Sequence, residues 1–261
     1  MLVSKLCNEQ DFKTEWFKNC CVKLQEPFKY HRKLWEYCFI YESLLERGYL
    51  QPGKKGLGFA VGKEPLTAAF ASHGCRITST DLELEKAQAQ GWTLSNQHCN
   101  SILDLNKRGI CDPYLFNSLV TFKYMDMNKI DNETFNVYDF TWSSCAFEHC
   151  GSIDLGKKFI INQMNCLKPG GIAIHTTEYN LSSNKNTIET GPTVLFRKQD
   201  IEWIVDNLRA LGHSINIDYT VGKGEIESIV AKQTDTDYHL RLHLDGYITT
   251  SIGLIITKSS K

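Results

Sequence analysis

Apolar residues recur at three- and four-residue intervals between residues 12 and 48, as in Leu34, Cys38, Tyr41 and Leu45, and this period predicts amphipathic helix. Gly48, followed by Pro52 and Gly53, predicts its end. Beyond this helical preface the pattern changes to short apolar runs separated by helical stretches. It predicts a strand at about residues 56–60, a helix over 65–72, a strand over 76–80 and a helix over 84–89, followed by a polar run over 96–112. The alternation resumes with "LVTFKYMD" and "NVYDFTWSS", a helix at about 153–166, the turn "LKPGG" and the strand "IAIHTTE". A helix over 198–211 then precedes "HSINIDYTV" and "DGYITTSIGLIITK", which have no helix between them and are expected to pair antiparallel.

Strands alternating with helices mark parallel βαβ units, so the expected class is α/β, a doubly wound, mostly parallel sheet with helices on both faces. No internal repeat or linker interrupts it, and 261 residues suit one large domain, residues 51–261, behind a helical extension of residues 1–50. Tyr30, His31, Trp35 and Tyr37 make that extension a candidate cap over a cleft, with packing on the sheet flank as the alternative.

Composition narrows the partners. Hydrophobic residues at 42% and charged ones at 23% allow a sizeable core, and a net charge of -1 gives no general attraction to nucleic acid or anionic membrane. There is no apolar run of membrane-spanning length, and the start "MLVSKLCNEQDFK" is charged too soon for a secretory signal, so a cytoplasmic protein is expected. The 10 cysteines lack CxxC or Cys/His metal spacing, which fits buried free thiols.

The stretch "GKKGLGFAVGKEPLTAAFASHGCRITSTDLE" carries the first chemistry. Gly58, Ala60 and Gly62 put minimal side chains where a strand becomes a turn, so a ligand can approach the backbone; Phe59 lies among them. Asp81, followed by Leu82, ends the next strand and can accept from both hydroxyls of a ribose. An adenosine-containing cofactor is expected, against the plainer reading in which the glycines make a turn and Asp81 caps a helix. The spacing lacks the G-x-G-x-x-G of a dinucleotide site.

This stretch resembles the first motif of class I S-adenosylmethionine-dependent methyltransferases, with two departures: Gly58 stands where that family usually has an acid, and Ala60 at a usual glycine. The resemblance implies a Rossmann-like sheet of seven strands with an antiparallel last strand, and S-adenosyl-L-methionine as cofactor. With the usual acid missing, Glu64, just past Gly62, is the candidate to meet the methionine ammonium instead, with an exposed helix-start acid as the alternative. Asp126 and Met127 in "YMDM" would meet the adenine, and Ser143 and Ser144 in "YDFTWSS" would lie beside the sulfonium.

"SSCAFEHCGS" follows the strand that should point at the methyl group. His149 is the candidate general base and Glu148 its catalytic neighbour, since removing a hydroxyl proton benefits from a positioned base; a structural role for the pair is the alternative. His175, Glu178, Tyr179 and Asn180 open a polar segment suited to a sugar's hydroxyls and apolar faces, or to a solvated loop. "VGKEPL", "FEHCGS", "TTEYNLSSN" and "GYITTSIGLII" together look like methyltransferases encoded with bacterial or viral glycan-assembly enzymes. That second resemblance implies O-methylation of a glycan or activated sugar and association with glycosyltransferases. Asp126, Glu148, His149, His175 and Glu178 offer ligand chemistry for a divalent ion, but no spacing demands one. An NAD-dependent sugar oxidoreductase or epimerase and a non-catalytic binding module are the competing functions.

Overall fold

A computed structural model describes residues 1–85, 98–99, 101–232 and 238–260. The chain opens with strand β1 (Ser4–Leu6) and helices α1 (Glu9–Phe12) and α2 (Glu15–Lys23), whose first turns are capped by the side chains of Asn8 and Thr14. Strand β2 (Tyr30–His31) leads into α3 (Arg32–Leu45). The continuous apolar period is therefore cut into separate helices, because Gln25 takes φ +52 and Pro27 follows. Gly48 ends α3 as expected: its φ is +73, and its amide and that of Tyr49 bond back to Leu45 and Leu44.

Next come β3 (Lys55–Gly58), α4 (Leu66–Ser72), β4 (Arg76–Asp81), α5 (Pro113–Leu119), β5 (Val120–Tyr124), β6 (Tyr138–Ser144), α6 (Ile153–Gln163) and β7 (Leu167–Asn180). The helix expected over 84–89 runs into residues outside the described ones. The chain continues through α7 (Lys198–Ala210), β8 (Ile217–Asp218), β9 (Val230–Ala231), β10 (Tyr238–His239), β11 (Arg241–Leu244) and β12 (Tyr247–Thr257).

The main sheet runs β5-β4-β3-β6-β7-β12-β1-β8. The first five strands are mutually parallel, as the alternation of elements predicts, and β12 is antiparallel to β7, the antiparallel last strand that the resemblance implies. Strand number differs from the seven expected: the described sheet has 10, because β1 enters from the far end of the chain and β11 and β9 extend the β12 side. "HSINIDYTV" also pairs differently. Only Ile217–Asp218 is strand, parallel to β1, and a single Ser214–Thr257 bridge reaches the last strand. The "LKPGG" turn lies inside β7 as an irregularity, where Tyr138 faces Leu167 but Phe140 already faces Ile172.

Helices cover both faces. On one, α2, α3 and α4 bury Trp35, Phe39 and Phe70 against Phe140, Trp142, Ile172 and Ile174; on the other, α6 and α7 bury Phe159, Ile160, Ile201 and Ile204 against Leu57, Ala173 and Leu254. Neighbouring strand residues thus feed opposite cores, the consequence of a side-chain period of two. The order reverses between β3 and β6, and at such a switch point the connections leaving the two strands diverge and open a crevice at their carboxyl ends.

Candidate active site

A cleft of about 270 Å³ opens at that crevice, with walls that include Gly62, Glu64, Asp81, Asp126, Ser144 and His149. Small-molecule sites commonly begin near 300 Å³. Ala60, Leu82 and Met127 complete the expected residues that line it, and Lys33, Tyr37 and Cys145 line it without having been singled out as site residues.

The turn after β3 is built by packing as much as by any ligand. A Cβ on Gly58 would stand 2.4 Å from Trp142 Cζ2 and from Val61 Cγ1, so its lack of a side chain accommodates the indole. Phe59 is fully buried, edge-on to Phe159 at 5.1 Å, and neither residue reaches the cleft. Ala60 and Gly62 both take positive φ, +47 and +54, which turns the chain toward β4. There Asp81 Oδ2 accepts from the amides of Gly62 at 3.2 Å and Cys99 at 3.0 Å, and Oδ1 from Leu82 at 2.8 Å. Burial raises the Asp81 pKa against these bonds.

Glu64 is 5% exposed, and its Oε1 accepts from Trp142 Nε1 at 2.6 Å. Burial pushes its carboxyl up to about 8, with the indole bond and Lys33 opposing. Asp126 sits in a turn, accepting from the Asn128 amide at 2.8 Å, and Met127 packs beside it against the α6–α7 core. Ser144 donates to Glu36 Oε2 at 3.2 Å, while Ser143 turns away to bond His175 Nδ1 at 2.8 Å.

His149 lines the cleft just past β6, with Nδ1 2.9 Å from the Pro192 carbonyl. A carbonyl only accepts, so the neutral ring carries its proton on Nδ1 and Nε2 is the basic nitrogen. Burial lowers its pKa to about 4, so the ring is neutral at ordinary pH. Glu148 points into the protein, 1% exposed, with Oε2 accepting from Thr177 at 2.8 Å.

The four residues expected to face substrate are set apart from the cleft. His175 is fully buried between Phe147 and Phe159, its pKa lowered to about 3 by burial. Tyr179 is 6% exposed, and Asn180 ties its own loop by accepting from Ser182 and Ser183 and donating to Asn186. Glu178 pairs with Arg32 beneath α3.

Helix α3 supplies what the sequence reading left out. Glu36, fully buried, accepts from Lys33 at 2.9 Å, Ser144, Ser251 and Cys145 Sγ at 2.9 Å. Burial alone would raise this carboxyl, but Lys33 and Arg32 hold it at about 2. A signal for it existed: Glu36 lies three and four residues before Phe39 and Ile40 and so shares their buried face. Of the residues offering metal-ligand chemistry, Glu148 and Glu178 come together, joined by Cys145, and Asp126, His149 and His175 do not belong to that group. No described helix is long and apolar enough to cross a membrane.

No protein-family model matches the chain, and no curated protein matches it. Solved structures do. A glycopeptide N-methyltransferase is 13% identical over 84% of this chain and 94% of its own, with a TM-score of 0.49. The 1,6-didemethyltoxoflavin-N1-methyltransferase of Burkholderia thailandensis, solved with its substrate and S-adenosylhomocysteine, is 15% identical over 83% and 76%, with a TM-score of 0.48. A SAM-dependent methyltransferase from Methanosarcina mazei is 13% identical over 83% and 98%, also at 0.48.

Proposed function

We propose that this protein is an S-adenosylmethionine-dependent methyltransferase that acts on a hydroxyl of a saccharide, in a glycan or an activated sugar. The observation that carries the reading is the cleft itself, which gathers Gly62, Glu64, Asp81, Leu82, Asp126, Met127 and Ser144 at the switch point, with His149 in the same wall. These residues fit the cofactor. Glu64 is a buried carboxyl with one hydrogen bond and suits an ammonium; Asp81, at the end of β4, suits a ribose; Leu82 and Met127 suit an adenine face.

Bound there, the cofactor supplies an electrophilic methyl group on a sulfonium. The chain's own work is to orient the acceptor and take its proton. His149, neutral and protonated on Nδ1 by its bond to Pro192, takes the hydroxyl proton through Nε2. Lys33 and Tyr37 in the same wall offer hydrogen bonds to neighbouring hydroxyls, and the Tyr37 ring an apolar face for the sugar. Residues 1–50 act as the cap through α3, and association with glycosyltransferases would deliver such an acceptor.

Titration calorimetry with S-adenosylmethionine, S-adenosylhomocysteine and NAD tests the cofactor, with only the first two expected to bind. His149→Ala should keep cofactor affinity and lose about 10²–10⁴-fold in turnover on a saccharide acceptor. Tight binding of NAD alone would overturn the reading, and full turnover in the folded variant would remove His149 as the base.

A further inference from the structure

We propose that Cys145, Glu148 and Glu178 form a binding site for one divalent transition-metal ion just behind the wall of the cleft. One ligand atom from each of the three lies within 4.8 Å of the other two, close enough for a shared ion. A second observation is independent of that clustering. Glu148 Oε1 and Glu178 Oε2 have no hydrogen-bond partner, although Glu148 is 1% and Glu178 5% exposed. Leaving a carboxylate oxygen bare in a protein interior is costly. Each carboxylate has its other oxygen held, Glu148 Oε2 by Thr177 Oγ1 at 2.8 Å and Glu178 Oε1 by Arg32. One oxygen anchored and one bare is how surrounding groups orient carboxylates toward a metal.

Burial raises the Glu148 and Glu178 carboxyls toward their protonated forms, so an ion binds in exchange for protons: those of any protonated carboxyl and of the Cys145 thiol leave to solvent, a metal–sulfur bond replaces the S–H bond, and no oxidation state changes. One sulfur and two oxygen donors suit zinc, cobalt or ferrous iron; magnesium and calcium prefer oxygen alone. Three protein ligands leave a coordination position open, and Cys145, the one of the three that lines the cleft, sets the ion beside it. The metal site stands whether or not the acceptor is a saccharide.

The test uses the full chain stripped with a chelator and titrated with cobalt(II) or zinc. One equivalent of cobalt should bind and give a thiolate-to-cobalt charge-transfer band in the near ultraviolet. Cys145→Ser should abolish the band, and Glu148→Gln and Glu178→Gln should each weaken binding by at least the roughly 10–100-fold that loss of an orienting partner costs. Because 10 cysteines are present, a band unchanged in Cys145→Ser would assign the metal elsewhere and overturn the proposal. Should the variants not fold, a zinc-soaked crystal of the unaltered protein decides: an anomalous peak between Cys145, Glu148 and Glu178 supports the site. Absence of that peak means that a proton or an ammonium group balances the cluster, and the proposal fails.

Discussion

Glu64 should make cofactor affinity depend on pH in a direction opposite to that of an ordinary surface carboxylate. Its carboxyl titrates at about 8, so in the free protein it is largely protonated at neutral pH. The charged groups around it are Lys33 and Glu36 from α3 and Asp81 from β4, with the Tyr37 hydroxyl also facing it. A cofactor ammonium, an α-amino group ionising at about 7.7–8.0, pairs with Glu64 only when both are charged. The population able to pair is greatest near pH 8 and falls about 25-fold by about pH 6, or roughly 2 kcal/mol. Calorimetry with S-adenosylhomocysteine across that range measures it, and Glu64→Gln should remove the slope. The same residue affects the fold with a definite sign. A folded pKa above the ordinary 4.5 means that the native state holds the proton more tightly, so stability is full below about 4.5 and is lost as pH rises to about 8. The loss is on the order of 5 kcal/mol, so cofactor-free Glu64→Gln should melt higher than the unaltered protein near pH 8 and close to it near pH 5. Affinity that stays flat between about pH 6 and 8, or a Gln variant that keeps the slope, would refute the reasoning.

Gly58→Ala should destabilise the fold by about 1–3 kcal/mol in denaturant titration, since its Cβ would meet Trp142 Cζ2 at 2.4 Å. Unchanged stability would mean the indole has room to move. Asp81→Ala should weaken S-adenosylmethionine by about 1.5–3 kcal/mol, because a charged acceptor is lost where the ribose is expected. Equal affinity in a folded variant removes Asp81 from the cofactor site. Glu36→Ala should cost about 1–3 kcal/mol of stability, since it removes the partner of Lys33 and of the Ser144, Ser251 and Cys145 donors while Arg32 keeps Glu178. A change within experimental scatter would show that Lys33 reaches water instead.

The parallel half of the sheet was legible because its signals are local. Short apolar runs ending in Gly or Asp, with helical periods between them, place β3 to β7 in order, and Gly48 stops α3 where its positive φ requires a glycine. The edge was not legible. β1 is three residues, Ser-Lys-Leu, whose place between β12 and β8 depends on partners more than 200 residues away, Gly253 and Ile217 among them. No periodicity can be read in three residues. The break in the N-terminal helix turns on Gln25 adopting φ +52, which side chains other than glycine seldom signal.

The two ends of the candidate site differ for a related physical reason. Small residues and acids at strand ends report on the backbone they belong to, so Ala60, Gly62, Glu64, Asp81 and Ser144 reach one cleft from the order of strands alone. "HTTEYN" is polar in composition and was expected at a surface, yet β7 is buried on both faces through that stretch. Several of its polar atoms are held by elements far away in sequence: one Glu178 oxygen by Arg32, Thr177 by Glu148 and His175 Nδ1 by Ser143. A carboxylate buried in a helix face has to find such partners, because an unpaired charge in the core is too costly to keep. Glu36 is that carboxylate. Once its place between Lys33, Ser144, Cys145 and Ser251 is known, the burial of the β7 polar run and the position of α3 against the cleft follow from one requirement, that buried charges be paired.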